Sequence, residues 1–248
     1  MTRLTLRAYQ ELNDFLHPSR RGKEFEIGVN GTPSVKDVVE SVGVPHTEVD
    51  VILVNGESVD FGRLVREGDR LAVYPQFESL DITPLLRLRP APLRQPRFAL
   101  DGHLGRLAGY LRLFGFDCLY QTEWDDAALA SVSAREERIL LTRDRGLLKR
   151  TEVTRGYCPR EDHPRRQLVE VIRRFDLLGA AQPLTRCIAC NGELRAVPKA
   201  EVIAQVPDDV AETRDVFTRC RSCRRVYWEG SHFARLIALI EAAAGDAA

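Results

Sequence analysis

The 248 residues can form one large domain or two to three small ones, and a hydrophobic fraction of 44% is that of a globular protein. No apolar run approaches the ~20 residues of a membrane helix, and the N-terminus shows no signal-peptide stretch. A soluble, cytoplasmic protein is therefore expected, with no membrane partner. Basic and acidic residues both number 36, so net charge selects no partner. The distribution is uneven: residues 1–80 carry 9 basic and 13 acidic side chains, 81–180 carry 18 and 14, and 181–248 carry 9 and 9. The basic side chains of the middle are nearly all arginine, the better fork for phosphate.

Residues 1–80 read as a small α+β domain. Leu4–Tyr9 and Phe25–Val29 alternate as strands. Ser34 with Asp37 reads as an N-cap with an acid at N3, and Val35, Val38, Val39 and Val42 form the buried stripe of a short helix. Val51–Val54 is a third strand, Asn55-Gly56 a hairpin signal, and Leu71–Tyr74 a last strand after the Gly68-Asp69 turn. The order resembles the ubiquitin-like β-grasp of the sulphur-carrier proteins of thiamine and molybdopterin synthesis. Those carriers end in a free Gly-Gly, whereas here the last strand runs into Pro75-Gln-Phe-Glu78. An interaction or scaffolding domain is expected, not a carrier.

Residues 81–97 hold Pro84, Pro90, Pro92 and Pro96 among arginines and read as an extended linker. From Phe98 the pattern is strand, helix, strand, helix, strand. The first strand ends at Asp101. Leu104, Leu107, Ala108, Leu111 and Phe114 mark a helix that Gly115 terminates. Phe116–Tyr120 is the second strand, Asp125 the N-cap of the next helix, and Arg138–Thr142 the third strand, followed by Asp144 and a short helix. A weaker strand is expected within Val153–Tyr157. Pro164 opens a helix with Leu168, Val171, Ile172 and Phe175 on one face. Such an order favours a parallel sheet with right-handed crossovers, whose sites form at the C-terminal strand ends.

Cys187-x-x-Cys190 and Cys220-x-x-Cys223 have the spacing of a tetrahedral Cys₄ zinc ribbon. Ser231 can cap a final helix with Phe233, Leu236, Ile237 and Ile240 on its face. Cys118 and Cys158 read as packed thiols.

The strand ends deliver acids repeatedly: Asp101, Asp125 or Asp126, Asp144 and Asp162. Each can cap a helix. Gathered at one edge they would repel one another unless a cation sat among them, and such hard oxygen donors suit Mg²⁺ or Mn²⁺. Such a cation can activate water and neutralise charge on a phosphodiester. Arg106, Arg143 and Arg145 flank the acids and are candidates for phosphate contacts. No Walker loop and no G-x-G-x-x-G supports nucleotide hydrolysis or dinucleotide binding.

Leu100-Asp101-Gly-His-Leu-Gly-Arg-Leu-Ala-Gly-Tyr-Leu-Arg-Leu-Phe-Gly-Phe-Asp117 and Arg138-Ile-Leu-Leu-Thr-Arg-Asp144-Arg-Gly-Leu-Leu148 resemble the two signatures of the Mut-seven C-terminal RNase family. The cysteine segments, Arg186–Gly192 and Cys220–His232, resemble its appended zinc ribbon, and bacterial members often carry a ubiquitin-like domain in front. The resemblance implies an α/β chain of four parts: a β-grasp domain (1–80), a linker (81–97), a PIN-like parallel-sheet nuclease domain (98–180) and a zinc ribbon with a C-terminal helix (181–248). It also implies metal-dependent RNA cleavage. Asp101 and Asp144 match the family's acids and would bind Mg²⁺ or Mn²⁺; Asp125 or Asp126 is the middle acid, and Asp162 a fourth. The four cysteines would hold structural zinc. RNA is the expected substrate, with a protein partner for the β-grasp domain. The alternative is a noncatalytic RNA- or ribosome-associated adaptor that binds through the ribbon.

Overall fold

The computed structural model describes residues 1–75, 88, 96–230 and 234–238. The expected linker, 81–97, lies outside them apart from residues 88, 96 and 97, as do Ser231, Phe233 and Ile240 of the expected last helix. The chain forms two compact units: Met1–Arg94 with Asp144–Cys158, and Gln95–Arg143 with Pro159–Ala248.

The first unit is built on a five-stranded β-grasp sheet. Its strands are β1 (Thr2–Ala8), β2 (Phe25–Val29), β3 (Val51–Val54), β4 (Glu57–Ser58) and β5 (Arg70–Tyr74), in the order β2-β1-β5-β3-β4. β1 and β5 are parallel, and helix α1 (Val35–Ser41) lies between β2 and β3 in sequence. Ser34 and Asp37 form the expected capping box, and Val35, Val38 and Val39 are buried. Asn55 and Gly56 both take positive φ, 53° and 89°, which the tight β3–β4 hairpin requires. Within this unit, Asp144–Cys158 contains a one-turn helix, Arg145–Leu148, and the two-residue strand Gly156–Tyr157.

The second unit contributes three parallel strands to a four-stranded sheet, β6 (Phe98–Leu100), β7 (Cys118–Tyr120) and β8 (Ile139–Leu141), with β6 between the other two. Helices α2 (Gly105–Leu113) and α3 (Asp126–Arg135) make the crossovers. Every residue of β6 and β8 is buried, which fits a sheet covered on both faces. Helix α4 (Pro164–Arg174) buries Leu168, Val171 and Ile172. Gly115 ends α2 at φ 90°, where a Cβ would run into the Gln182 carbonyl, so only glycine fits. The ribbon is an antiparallel sheet of β9 (Leu194–Val197), β10 (Phe217–Cys220) and β11 (Val226–Tyr227). Val197, Val202, Val206 and Phe217 give it a small core of its own. Residues 234–238 are helical, with Leu236 buried. Among the described residues, no helix is long and apolar enough to cross a membrane.

Candidate functional site

The C-terminal edge of the parallel sheet carries Asp101. Its backbone N–H donates to the Leu141 carbonyl at 3.1 Å, continuing the sheet past β6. The half-buried carboxylate accepts a hydrogen bond from the fully buried Thr142 hydroxyl at 2.7 Å. Among the described residues its carboxylate has no other hydrogen bond and no cationic partner. A 3-10 turn, Gly102–Leu104, leads from it into α2. Beside that turn is a cleft of about 430 Å³ lined by His103, Arg106, Tyr120, Pro164 and Gln167 among others. Tyr120 donates its hydroxyl to the Gly102 carbonyl, and Gly105 leaves room for the ring: a Cβ there would lie 2.6 Å from the Tyr120 oxygen. Arg106 is exposed and forms no ion pair among the described residues.

The other acids are engaged locally. Asp125 caps α3, accepting from the Ala128 amide at 2.7 Å, and Asp126 is that helix's exposed first residue. Asp162 pairs with Arg143 at 2.5 Å. In the first unit, Asp144 caps the one-turn helix, its Oδ1 accepting from the Gly146 amide at 2.6 Å and the Leu147 amide at 3.2 Å. Arg145 lies over the Phe15 ring at 4.9 Å and donates to the Asp14 carbonyl. Of the three arginines named for phosphate, Arg143 and Arg145 therefore have protein partners in the structure. The acids offer the hard oxygen chemistry that Mg²⁺ or Mn²⁺ takes. Among the described residues, no three carboxylates gather as ligand atoms within 4.8 Å of one another.

The cysteines do gather. Cys187, Cys190, Cys220 and Cys223 bring their sulfurs within 4.8 Å of one another and could hold a metal such as zinc. Cys187 Sγ lies 3.5 Å from Cys223 Sγ, and Cys190 Sγ lies 3.5 Å from Cys220 Sγ. Zinc–sulfur bonds of about 2.3 Å imply tetrahedral sulfur–sulfur edges of about 3.8 Å, so the donor set fits. The two pairs sit in matching turns. The Asn191 amide donates to the Cys187 carbonyl at 2.9 Å and the Arg224 amide to the Cys220 carbonyl at 3.2 Å. Asn191 and Arg224 both take φ 65°. Burial opposes ionisation of Cys187, yet hydrogen bonds from the Tyr227 hydroxyl and the Cys190 amide pull its thiol down to about 6. Burial pushes Cys190 up to about 12. Such a split is expected of crowded thiols, and a bound dication removes the conflict.

Asp117, which is not among the acids expected at the C-terminal strand ends, is a structural hub. It precedes β7, so it lies at the N-terminal edge of the sheet, opposite Asp101. Arg138, 5% exposed, donates to both its oxygens at 2.8 and 3.2 Å, and Asn191 donates to Oδ1 at 2.7 Å. Asn191 in turn accepts from the Cys118 amide at 3.0 Å. Arg112, buried in α2, donates to the Ile188 and Ala189 carbonyls. The first cysteine turn is thus fastened to the nuclease sheet by one asparagine and one arginine. Burial raises the Asp117 carboxyl, but the hydrogen bonds from Arg138 and Asn191 outweigh it and hold it below the ordinary carboxylate range. No spacing rule in the sequence links Asp117 to Asn191. Cys118 is fully buried, and burial pushes its thiol up, as a packed thiol requires.

A family model described as the Mut7-C RNAse domain matches residues 96–240, and one described as Mut7-C ubiquitin matches residues 1–81. Two solved structures are similar to part of the chain. The crystal structure of H. volcanii small archaeal modifier protein 1 is 18% identical over 31% of this chain and 100% of its own, with a TM-score of 0.26. A second, SAMP1 from Haloferax volcanii, is 18% identical over 32% of this chain and 99% of its own, with a TM-score of 0.25. A comparison with curated proteins finds no match.

Proposed function

We propose that this chain, which belongs to the Mut7-C RNAse domain family, is a metal-dependent ribonuclease whose chemistry centres on Asp101. The observation that carries the reading is the state of that residue. Its carboxylate follows β6, is half-buried, and is oriented by a buried neutral hydroxyl with no neighbouring cation among the described residues. A charge held that way, at the sheet edge where α/β sites form, suits a divalent metal. Asp101 and Asp144 would hold Mg²⁺ or Mn²⁺, with Asp125 or Asp126 and then Asp162 completing the shell. The ion, when bound, supplies Lewis acidity and lowers the pKa of a water.

The chain's own residues do the rest. Thr142 fixes the orientation of Asp101, so the carboxylate does not have to reorganise during turnover. Arg106 meets a phosphate of the RNA, and the neighbouring cleft takes the adjoining nucleotide. Arg143 and Arg145 would exchange their protein partners for phosphates. Structural zinc in the ribbon holds the N-terminal edge of the sheet through Asn191 and Arg112. Because that edge is opposite Asp101, the ribbon braces the nuclease and does not supply catalytic groups.

The test is cleavage of an RNA panel with and without Mn²⁺ by wild type, Asp101→Asn and Asp144→Asn at matched salt. Loss of one metal-binding charge should lower turnover by about two orders of magnitude or more, with thermal stability little changed and zinc retained. Wild-type rates in both variants would place any activity elsewhere. A second reading, an RNA- or ribosome-associated adaptor, draws support from the capping and pairing of Asp125, Asp144 and Asp162. An adaptor would bind RNA without metal-dependent turnover.

A further inference from the structure

Three consecutive polar residues of the β-grasp domain, His46, Thr47 and Glu48, are 5%, 2% and 0% exposed. They form a 3-10 turn between α1 and β3. Burying three such groups is costly unless each finds a partner. Their partners lie about a hundred residues along the chain, in Asp144–Cys158 of the same compact unit. His46 Nε2 faces the Val153 carbonyl at 2.8 Å, and its Nδ1 faces Glu40 Oε1 at 2.6 Å. Thr47 donates to the Leu148 carbonyl at 3.3 Å. Glu48 Oε1 accepts from the Cys158 amide at 2.5 Å. Lys149 reciprocates by donating to the Glu40 carbonyl at 2.9 Å.

These bonds reach the beginning, middle and end of one segment. Leu148 closes the one-turn helix that Asp144 caps; Val153 lies in the following loop; Cys158 ends the segment. A helix of one turn has little stability of its own, because nucleation fixes several residues for one hydrogen bond. Something outside it must therefore hold it, and with it the cap.

We propose that the His46–Glu48 turn is an intramolecular clamp that holds residues 147–158 and so positions the Asp144 carboxylate. His46 and Glu48 are positioning residues for the cleavage reaction, and this part rests on the metal-dependent ribonuclease reading above. The β-grasp domain then acts as a built-in subunit of the nuclease and needs no free C-terminus.

The test uses the full chain and the variants His46→Ala, Glu48→Ala and Glu48→Gln. Glutamine keeps an acceptor oxygen for the Cys158 amide; alanine removes it. Hydrogen exchange of amides 147–158 should speed up about tenfold or more in both alanine variants, while amides of Val51–Val54 and Arg70–Tyr74 change less than about threefold. Glu48→Gln should return exchange towards wild type. The Mn²⁺ concentration for half-maximal RNA cleavage should rise several-fold in the alanine variants with KM for RNA unchanged, as expected of a displaced ligand and not of a loosened fold. Unchanged exchange at 147–158 in both alanine variants, a rise spread evenly over residues 1–75, or a glutamine variant that behaves as the alanine does would each overturn the clamp. Faster exchange with a wild-type Mn²⁺ requirement would overturn the positioning of Asp144. A wild type that cleaves no RNA defeats the ribonuclease reading instead, and exchange alone then judges the clamp.

Discussion

Replacing Asp117 with asparagine tests the account of the sheet's N-terminal edge. The amide keeps one acceptor oxygen but turns an –NH₂ towards Arg138 or Asn191, both of which are donors there. Breaking a fully buried ion pair costs about 3–5 kcal/mol. Two features reduce that here: Asp117 is 19% exposed, and Arg138 keeps a second carboxylate, Glu136, at 2.9 Å. A loss of about 1.5–3 kcal/mol follows, or about 4–10 °C in Tm for a domain of this size. Both tryptophans, Trp124 and Trp228, belong to the second unit, so their fluorescence follows its unfolding selectively. The Asp117 carboxyl is held below its ordinary value by the hydrogen bonds that outweigh its burial. Its stabilisation is therefore complete above about pH 4 and is lost as pH falls through the lowered folded-state value. The gap between wild type and Asp117→Asn should be constant near neutrality and close in acid. A loss under about 2 °C at pH 7, or a gap that does not close in acid, would refute the ion-pair account.

Protein purified without chelator should contain one zinc per chain, and Cys220→Ala should lose it. Because Asn191 directly follows Cys190, chelation should also lower the tryptophan-detected transition, and an unchanged melt would show that the ribbon does not brace the sheet. Gly115→Ala should destabilise the second unit by about 2–4 kcal/mol, the sum of a strained positive φ and a forced shift against Gln182; a melt within 2 °C of wild type by differential scanning calorimetry would contradict it.

The capping box at Ser34, the Asn55-Gly56 hairpin and the cysteine turns were legible because each rests on contacts within a few residues of chain, and the β-grasp strands because their side chains alternate locally. The parallel pairing of the sheet followed from alternation of strand and helix. What escaped the sequence reading depends on partners far apart. Nothing in His46-Thr47-Glu48 reads as buried, because only the carbonyls and amide of residues 148–158 make burial tolerable. Asp117 does not stand out in the sequence because its partners Arg138 and Asn191 lie 21 and 74 residues further along the chain. The capping roles of Asp125 and Asp144 were legible, since a cap needs only its own helix.

Asp101 and Asp117 show why residue type alone does not identify a site. Both are aspartates flanking adjacent parallel strands, and both are at least partly withdrawn from water. Asp117 meets a buried guanidinium, which neutralises it and fixes it as part of the scaffold. Asp101 meets a buried hydroxyl, which orients it and leaves its charge uncompensated among the described residues. A protein that only needed a helix entry at that place could use the Asp101 carboxylate to accept from the turn's amides, as Asp125 and Asp144 do for theirs. The turn after Asp101 has no such side-chain cap. The carboxylate is thus spent on neither an ion pair nor a cap. A carboxylate with neither role keeps its oxygen lone pairs for a hard cation. On this ground Asp101, rather than the more numerous acids around it, is the residue on which the proposed metal-dependent cleavage stands or falls.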